Sequence, residues 1–150
     1  MRIEDEIKQE KFKSEFQKLM INQLFTGKWI TNIIAKNLKK YGLTSQQYNV
    51  LRILRGQKNK VITVNAISDR MIDKMSNVSR LIDKLDAKEL VVRKVNLDDR
   101  RQVDIQITEK GIDLIAEVEK NEVNMMKNFQ HLTEEEAKQL NYLLDKFRGK

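Results

Sequence analysis

The sequence predicts a mainly α-helical chain that carries one small β-hairpin. Its 150 residues include no proline and five glycines, a composition typical of long, uninterrupted helices. Residues 91–95 and 103–107 show period-two patterns on both sides of a turn rich in Asn and Asp, which indicates an antiparallel hairpin. Two short helical patterns directly precede the hairpin. The predicted core is therefore a helix-turn-helix followed by a hairpin, flanked by long helices.

The N-terminal part predicts one long helix over about residues 5–40, which Gly27 could interrupt. Phe12 and Phe16 form a narrow apolar edge on a charged surface, a pattern typical of contact with a partner subunit. Gly42 is expected to end this helix as a C-terminal glycine. The pair Thr44 and Gln47 forms a capping box for a second helix, which is expected to end near residue 56.

The helix-turn-helix is predicted over about residues 63–88, with Thr63 as the N-cap of a first helix, Val64 to Ile72. Residues 61–62 could add a third strand. The second helix of the helix-turn-helix is predicted over about 75–88, with Asp73 or Lys74 as its N-cap. Its buried stripe comprises Val78, Leu81, Ile82 and Leu85. Its opposite face carries Ser76, Asn77, Ser79, Arg80 and Lys84. Small polar and cationic groups suit a helix in a DNA major groove, and a solvated surface helix is the alternative.

The tip of the hairpin reads Asp98-Asp99-Arg100-Arg101. Exposed arginines at such a tip can enter a minor groove, where the negative potential attracts a guanidinium group. The spacing allows Asp99 to hold Arg101 in position before DNA arrives. A charged turn without a binding role is the alternative for this segment taken alone.

The C-terminal part predicts two further helices. Thr108 is expected to cap a helix that runs to about Phe129 and is apolar on two sides, so both sides must be covered. Thr133 begins a terminal helix through a second capping box. In a monomer, the apolar stripes of the N-terminal helix and of the C-terminal helix would compete for too little core. This predicts dimerisation. The predicted dimerisation residues are Phe12, Phe16, Met126, Phe129, Leu140, Leu144 and Phe147.

Composition narrows the classes of function. A net charge of +7 and a pI near 9.5 favour a polyanionic partner, either nucleic acid or anionic lipid. The sequence shows no apolar run of about 18 residues and no signal-peptide pattern, so a cytoplasmic protein is expected. The absence of cysteine excludes disulfides and thiolate metal sites, and His131 is the single histidine. No glycine-rich phosphate loop or nucleophile elbow is present, so we expect neither an enzyme nor a metal or other cofactor.

The segments SRLIDKLDAKELVVRK, DDRR and VDIQITEKG resemble the signature of the MarR family of bacterial transcription regulators. The wing of that family reads Asp-x-Arg, alternating apolar residues, then Leu/Ile-Thr-x-x-Gly. Here the pattern is Asp99-x-Arg101, followed by Ile107-Thr108-x-x-Gly111. The family often has a glycine in the turn before the recognition helix, and residues 72–74 have none. The similarity extends along most of the chain.

The resemblance implies one domain over residues 1–150, with a winged-helix lobe at about 44–108 and dimerisation helices at about 5–40 and 109–148. It implies a bacterial, homodimeric regulator of a pseudo-palindromic double-stranded DNA operator, a repressor relieved by a small aromatic or phenolic effector. The assigned residues are Ser76, Asn77, Ser79 and Arg80 for the major groove; Thr63, Lys74, Lys84 and Arg100 for the DNA backbone; Asp99 and Arg101 for the minor groove; and Phe25, Trp29, Tyr48 and Ile115 for the effector pocket. Packing in an ordinary filled core is the alternative for the four pocket residues.

Two other functions compete with this interpretation. A winged helix can act as a protein-interaction or architectural module without reading sequence, but that surface would favour exposed aromatic residues or methionine over Ser79 and Arg80. A protein of the membrane surface would need a lysine-rich amphipathic helix with aromatic anchors, which the sequence lacks. DNA binding is therefore the leading hypothesis, without any membrane association.

Overall fold

The computed structural model describes residues 1–58, 60–96 and 103–149. It has a mainly helical fold with one small sheet. Its elements in chain order are α1 (Ile3–Ile7), α2 (Glu15–Lys39), α3 (Ser45–Gly56), β1 (Ile62–Thr63), α4 (Val64–Ser68), α5 (Val78–Asp86), β2 (Val91–Val95), β3 (Val103–Ile107), α6 (Glu109–Met126), a 3-10 turn (Lys127–Phe129) and α7 (Glu134–Phe147). The order of elements is the predicted one from α2 onwards, with the 3-10 turn added, whereas α1 was not predicted as a separate helix.

The N-terminal region is interrupted near its start and not at Gly27. α1 ends at Ile7, where Lys8 takes a left-handed conformation with φ of 54°. α2 begins after Ser14, whose hydroxyl oxygen accepts a hydrogen bond from the Gln17 amide. The prediction of one helix from residue 5 was therefore wrong, because Ser14 is a strong N-cap that starts a new helix. Gly27 lies inside α2 and costs about 1 kcal/mol relative to alanine, too little to break the helix.

The predicted helix ends are confirmed where one side chain and the nearby backbone determine them. Gly42 has φ of 65°, and the Leu43 amide donates to the Leu38 carbonyl, so α2 ends in a left-handed turn. Thr44 and Gln47 form the capping box of α3. Thr108 caps α6, and Thr133 begins α7 through a capping box.

The helix-turn-helix differs from its predicted boundaries. Thr63 caps α4 as predicted, but α4 ends at Ser68 instead of Ile72. α5 begins at Val78 with Asn77 as its N-cap, instead of beginning near residue 75 after Asp73 or Lys74, and it ends at Asp86. Asp73 instead stabilises the preceding turn, since its carboxylate accepts from the Met75 amide at 3.0 Å. Asp and Asn are both good capping residues, and the one directly before the apolar stripe starts the helix.

The hairpin and β1 form a three-stranded antiparallel sheet in the order β1-β3-β2. Ile62 of β1 pairs with Ile105 of β3, and Val91 of β2 pairs with Ile107. Ile105 and Ile107 are buried, so one face of the sheet covers the core. The predicted third strand against the wing is therefore confirmed, at Ile62–Thr63 instead of residues 61–62.

A single core lies beneath this sheet and is shared by α3, α4, α5 and α6. Its largest fully buried side chains include Leu51, Leu54, Ile67, Met71, Ile82, Leu85, Ile105 and Ile115. In the described chain α7 has no buried side chain, and Leu38 is the only buried residue of α2. The sheet, α3, α4, α5 and α6 thus share one core, whereas α7 and most of α2 leave much apolar surface uncovered.

Gly111 allows α6 to approach the sheet closely. A Cβ atom at this position would lie 2.4 Å from the Leu90 carbonyl oxygen and 2.8 Å from Cγ1 of Ile107. Thr108 makes two hydrogen bonds at the same junction, from its amide to the Leu90 carbonyl and from its hydroxyl to the Glu89 carbonyl. The start of α6 is therefore attached tightly to the lobe.

We predict that Gly111→Ala lowers the free energy of unfolding by about 1–3 kcal/mol, because the backbone carbonyl of Leu90 cannot move aside cheaply. Gly27→Ala is the matched control. Gly27 lies in mid-helix with no atom within 4 Å of the position that a Cβ would take, so alanine should stabilise the helix by about 1 kcal/mol. Urea denaturation of both variants measures the difference. Equal stability of Gly111→Ala and the parent chain would contradict the close approach.

Candidate nucleic-acid interface

α5 presents a polar face to solvent because its opposite face is buried. Ile82 and Leu85 are fully buried in the core, and Val78 is nearly so. Ser79, Arg80 and Lys84 are exposed, as the helical period requires for positions between those residues. The hydroxyl of Ser79 and the cations of Arg80 and Lys84, all predicted to contact DNA, are therefore accessible along this helix.

Two other residues assigned to the major groove have different surroundings. The side-chain oxygen of Asn77 accepts from the Arg80 amide at 3.1 Å, so this oxygen caps α5. The hydroxyl oxygen of Ser76 is buried and has no hydrogen-bond partner in the described chain. A helix that starts at Val78 therefore brings Ser79 and Arg80 to its exposed face but keeps the Ser76 hydroxyl away from solvent.

The residues assigned to the DNA backbone also lie on different elements and have different surroundings. The Thr63 hydroxyl oxygen caps α4 by accepting from the Ala66 amide at 3.2 Å. The Lys74 ammonium donates to the Asp69 carbonyl, and Lys84 is exposed on α5. Arg100, together with the wing residues Asp99 and Arg101, lies outside the described residues. Their assignments stay predictions.

Arg93 on β2 connects the hairpin to α5, a role that the sequence did not predict. Its guanidinium group forms an ion pair with Asp83, and its Nε lies 3.8 Å from the Asp86 carboxylate. These groups are partly exposed, so the pairs add little to stability. Their consequence is positional: the Arg93 guanidinium links the wing strand to α5 and partly offsets the charge of the two carboxylates. The i,i+3 spacing of the aspartates was visible in the sequence, but their partner was not.

Two apolar side chains in the turn between α4 and α5 are strongly exposed. Ile72 is 88% exposed and Met75 is 92% exposed. Neither residue was assigned to a site from the sequence. They lie shortly before the N-cap of α5, so the exposed surface near the start of this helix is both polar and apolar.

A narrow crevice lies where α2, α3 and α6 meet. Its lining includes Leu38, Tyr41, Tyr48, Val118, Asn121 and Met125. Its free volume of about 20 Å³ is room for roughly one water molecule. Tyr48 is the one residue of the four assigned to the pocket that lines this crevice. Ile115 is fully buried in the core, Phe25 is half-buried on α2, and the Trp29 ring packs edge-on against Phe129 with centroids 5.4 Å apart.

The Tyr48 hydroxyl is the polar group of interest in the crevice. It is buried and has no geometrically defined hydrogen bond in the described chain. Burial, reinforced by the negative charge of Glu122, raises the pKa of Tyr48 above its usual value, and the nearby Arg52 opposes the shift. The Arg52 side chain acts on this hydroxyl without a well-formed hydrogen bond, so a bound polar group could satisfy it.

Polar links join α6 to α3 and to the end of α2. Arg52 lies 3.6 Å from the Glu122 carboxylate, and Arg55 forms an ion pair with Glu119. The Asn121 amide donates to the Tyr41 hydroxyl at 2.8 Å. A change in the separation of α2 and α6 would therefore reach α3, which supports the helix-turn-helix.

The terminal helices expose the residues that the sequence assigned to dimerisation. Phe16 is 79% exposed and Phe147 is 51% exposed, and Met126 and Leu140 are also exposed. Phe12, Phe129 and Leu144 are half-buried. Large apolar side chains repeated along α2 and α7 are more than a monomer normally leaves uncovered.

The described residues contain no group of carboxylates and histidine that could hold a metal ion. His131 is exposed between α6 and α7. Nor do they include a helix with the length and apolar character that crossing a bilayer requires.

A three-stranded sheet with a helix-turn-helix and an exposed polar second helix defines a winged-helix regulator. The family model of the SarA/Rot transcriptional regulators matches residues 32–118, more than half of the chain. The chain belongs to this family, which lies within the MarR group of winged-helix transcription regulators. The resemblance inferred from the sequence is confirmed, and the family is one of regulators and not of enzymes.

Curated relatives agree with this assignment. The chain is 33% identical to the HTH-type transcriptional regulator MhqR of Bacillus subtilis over 59% of the chain and 60% of MhqR. It is also 33% identical to the repressor MdtR of Bacillus subtilis over 75% of the chain and 72% of MdtR.

Two solved structures share the fold. The Staphylococcus aureus MepR–DNA complex has a TM-score of 0.74 and 24% identity over 93% of the chain and 98% of MepR. The organohalide-sensing regulator RdhR in its 2,4-dichlorophenol-bound form has a TM-score of 0.81 and 20% identity over 91% of the chain and 80% of RdhR. At these identities the likeness concerns the fold alone.

Proposed function

We propose that the chain is a homodimeric, sequence-specific regulator of double-stranded DNA, a bacterial cytoplasmic repressor without enzymatic activity or cofactor. One observation carries the proposal: Ser79, Arg80 and Lys84 are exposed on the second helix of the helix-turn-helix, opposite a buried stripe. Small hydroxyls suit base edges, and cations suit phosphates and guanine. The MepR relative was solved with DNA, which supports the same partner here.

The electrostatics of α5 favour this partner. Asp83 and Asp86 would repel phosphates if they were uncompensated, but Arg93 pairs with both. With Arg80 and Lys84 included, three cations face two carboxylates, so this surface is net positive. The net charge of +7 acts in the same direction at longer range.

The proposal divides the chain into a DNA-binding lobe at about 44–108 and dimerisation helices at about 5–40 and 109–148. α5 would enter the major groove, and the wing with Asp99 and Arg101 would enter the minor groove. Two-fold symmetry would then require a pseudo-palindromic operator with half-sites about one helical turn apart.

We predict that Arg80→Ala weakens binding to a duplex recovered from a random-sequence library by about 1–3 kcal/mol, that is, about fivefold to 150-fold. Lys120→Ala removes one exposed cation from α6 and should leave the affinity nearly unchanged. Gel-shift titrations measure both, and Arg101→Ala in the same titration tests the wing.

Parent affinity should also fall steeply between about 50 and about 200 mM salt. A flat salt response, or equal affinities of Arg80→Ala and parent, would refute the DNA-binding face.

Dimerisation is supported by the apolar surface of α2 and α7. Phe16 and Phe147 expose more than half of their surface, and α7 buries no side chain in the described chain. A second copy of this chain offers the same surfaces, so a two-fold interface could cover both at once. Two copies of α5 would then face one duplex.

We predict that Phe147→Glu shifts the chain from dimer to monomer, because a carboxylate would be buried in an apolar interface. Gln139→Glu adds the same charge at an exposed polar position of α7 and serves as the control. Sedimentation velocity at several concentrations measures the oligomeric state. A parent chain that stays monomeric would count against the dimer.

Relief of repression by a small phenolic effector is supported by the crevice beside Tyr48. The hydroxyl of Tyr48 is buried without a defined partner in the described chain, and the RdhR relative was solved with 2,4-dichlorophenol. A free volume of about 20 Å³ is too small for an aromatic ring, so binding would have to separate α2 from α6. The links from α6 to Arg52 and Arg55 would transmit that movement to α3.

We predict that 2,4-dichlorophenol releases the parent chain from its duplex and that Tyr48→Phe raises the concentration needed by about tenfold, because one hydrogen bond in a buried site is lost. Tyr142→Phe is the matched control, since this tyrosine is exposed on α7. Fluorescence anisotropy of a labelled duplex follows the release. Equal responses of the two variants would disprove the role of Tyr48, and no release at all would disprove this effector class.

One observation favours a protein-interaction module as the second candidate. Ile72 and Met75 expose apolar surface next to α5, which is typical of a protein-binding patch. Selection from the random-sequence library separates the two candidates, because an interaction module would not enrich any particular duplex.

A further inference from the structure

The turn between α4 and α5 displays the two most exposed large apolar side chains of the described residues after Met1. They are Met75 at 92% and Ile72 at 88%. Single exposed apolar residues are common on protein surfaces. Two such residues within four positions, directly before the helix proposed to contact DNA, need an explanation.

Hydrogen bonds hold this turn in place. The Ile72 amide donates to the side-chain oxygen of Asn49 on α3 at 2.9 Å. The Met75 amide donates to the Asp73 carboxylate at 3.0 Å, and the Ser76 amide donates to the Asp73 carbonyl. The backbone that carries the two apolar side chains is therefore anchored on the α3 scaffold, and their exposure is a defined feature of the surface.

The position and charge of the turn indicate its occupant. It directly precedes Asn77, the N-cap of α5, and the N-terminal residues of a recognition helix are the ones that contact base edges. The apolar dimerisation surface lies elsewhere, on α2 and α7, so a second copy of the chain is not needed to cover this turn. The exposed charged residues that flank it are the cations Arg70, Lys74 and Arg80, together with Asp69 and with Asp73, whose carboxylate is engaged by the backbone.

DNA offers one apolar group on the base edges of its major groove, the C5 methyl of thymine. We propose that Ile72 and Met75 read thymine methyl groups, so that each operator half-site carries thymine opposite the start of α5. This inference rests on the proposed DNA binding and adds a specificity determinant to it. Ser79 and Arg80 would supply the polar readout beside these apolar contacts.

The test replaces thymine by deoxyuridine, which removes the methyl group and leaves the hydrogen-bonding pattern unchanged. The probe is the tightest duplex recovered from a random-sequence library, with each thymine replaced in turn. At a contacted position the parent chain should lose about fourfold in affinity per methyl, given the usual free energy of burying one such group. Met75→Ala and Ile72→Ala should each bind the thymine and deoxyuridine duplexes more nearly equally.

Val61→Ala is the control, because it removes an exposed apolar side chain from the lobe outside this turn and should keep the full discrimination. Thermal melting of the variants should match the parent, since both side chains lie in solvent. If every single replacement leaves parent affinity unchanged, or if Met75→Ala and Ile72→Ala both keep the full loss, the inference is wrong while DNA binding stands. If no duplex is recovered, the inference and the proposed function both fall.

Discussion

Burial of one side of α5 is the constraint on which the rest of the lobe depends. Ile82 and Leu85 lie fully inside a core that also contains Leu51 and Ile67. Each such side chain contributes about 1.5–3 kcal/mol when it leaves water, so rotating the helix by one position would cost several kcal/mol. The core therefore sets which residues α5 exposes. Ser79 is exposed to solvent because the apolar side chains on the opposite face of α5 are held in the core.

The orientation of α5 is passed to the rest of the chain through a few contacts. Arg93 ties the helix to the wing, and the close approach at Gly111 ties the sheet to α6. Arg55 and Glu119 then connect α6 to α3. A movement of α6 relative to α2 would thus change the support of the helix-turn-helix. The same arrangement that stabilises the lobe offers a route for effector control.

The proposed DNA-facing surface combines two kinds of chemistry. Arg80 and Lys84 supply charge, which gives affinity and steers the approach but distinguishes sequences weakly when it meets phosphates. Ile72 and Met75 offer apolar surface, which is sensitive to a single methyl group.

Much of this fold was readable from local signals. Thr44, Thr63, Thr108 and Thr133 cap helices through hydrogen bonds that span three residues, and the hairpin follows from period-two patterns. The N-cap of α5 was predicted as Asp73 or Lys74 and is Asn77. Asp73 and Asn77 can both cap, and the packing of the apolar stripe selects the residue directly before it. The Arg93 ion pairs and the Tyr48 crevice join residues distant in the chain. Local chemistry specifies the elements, whereas their mutual packing specifies the site.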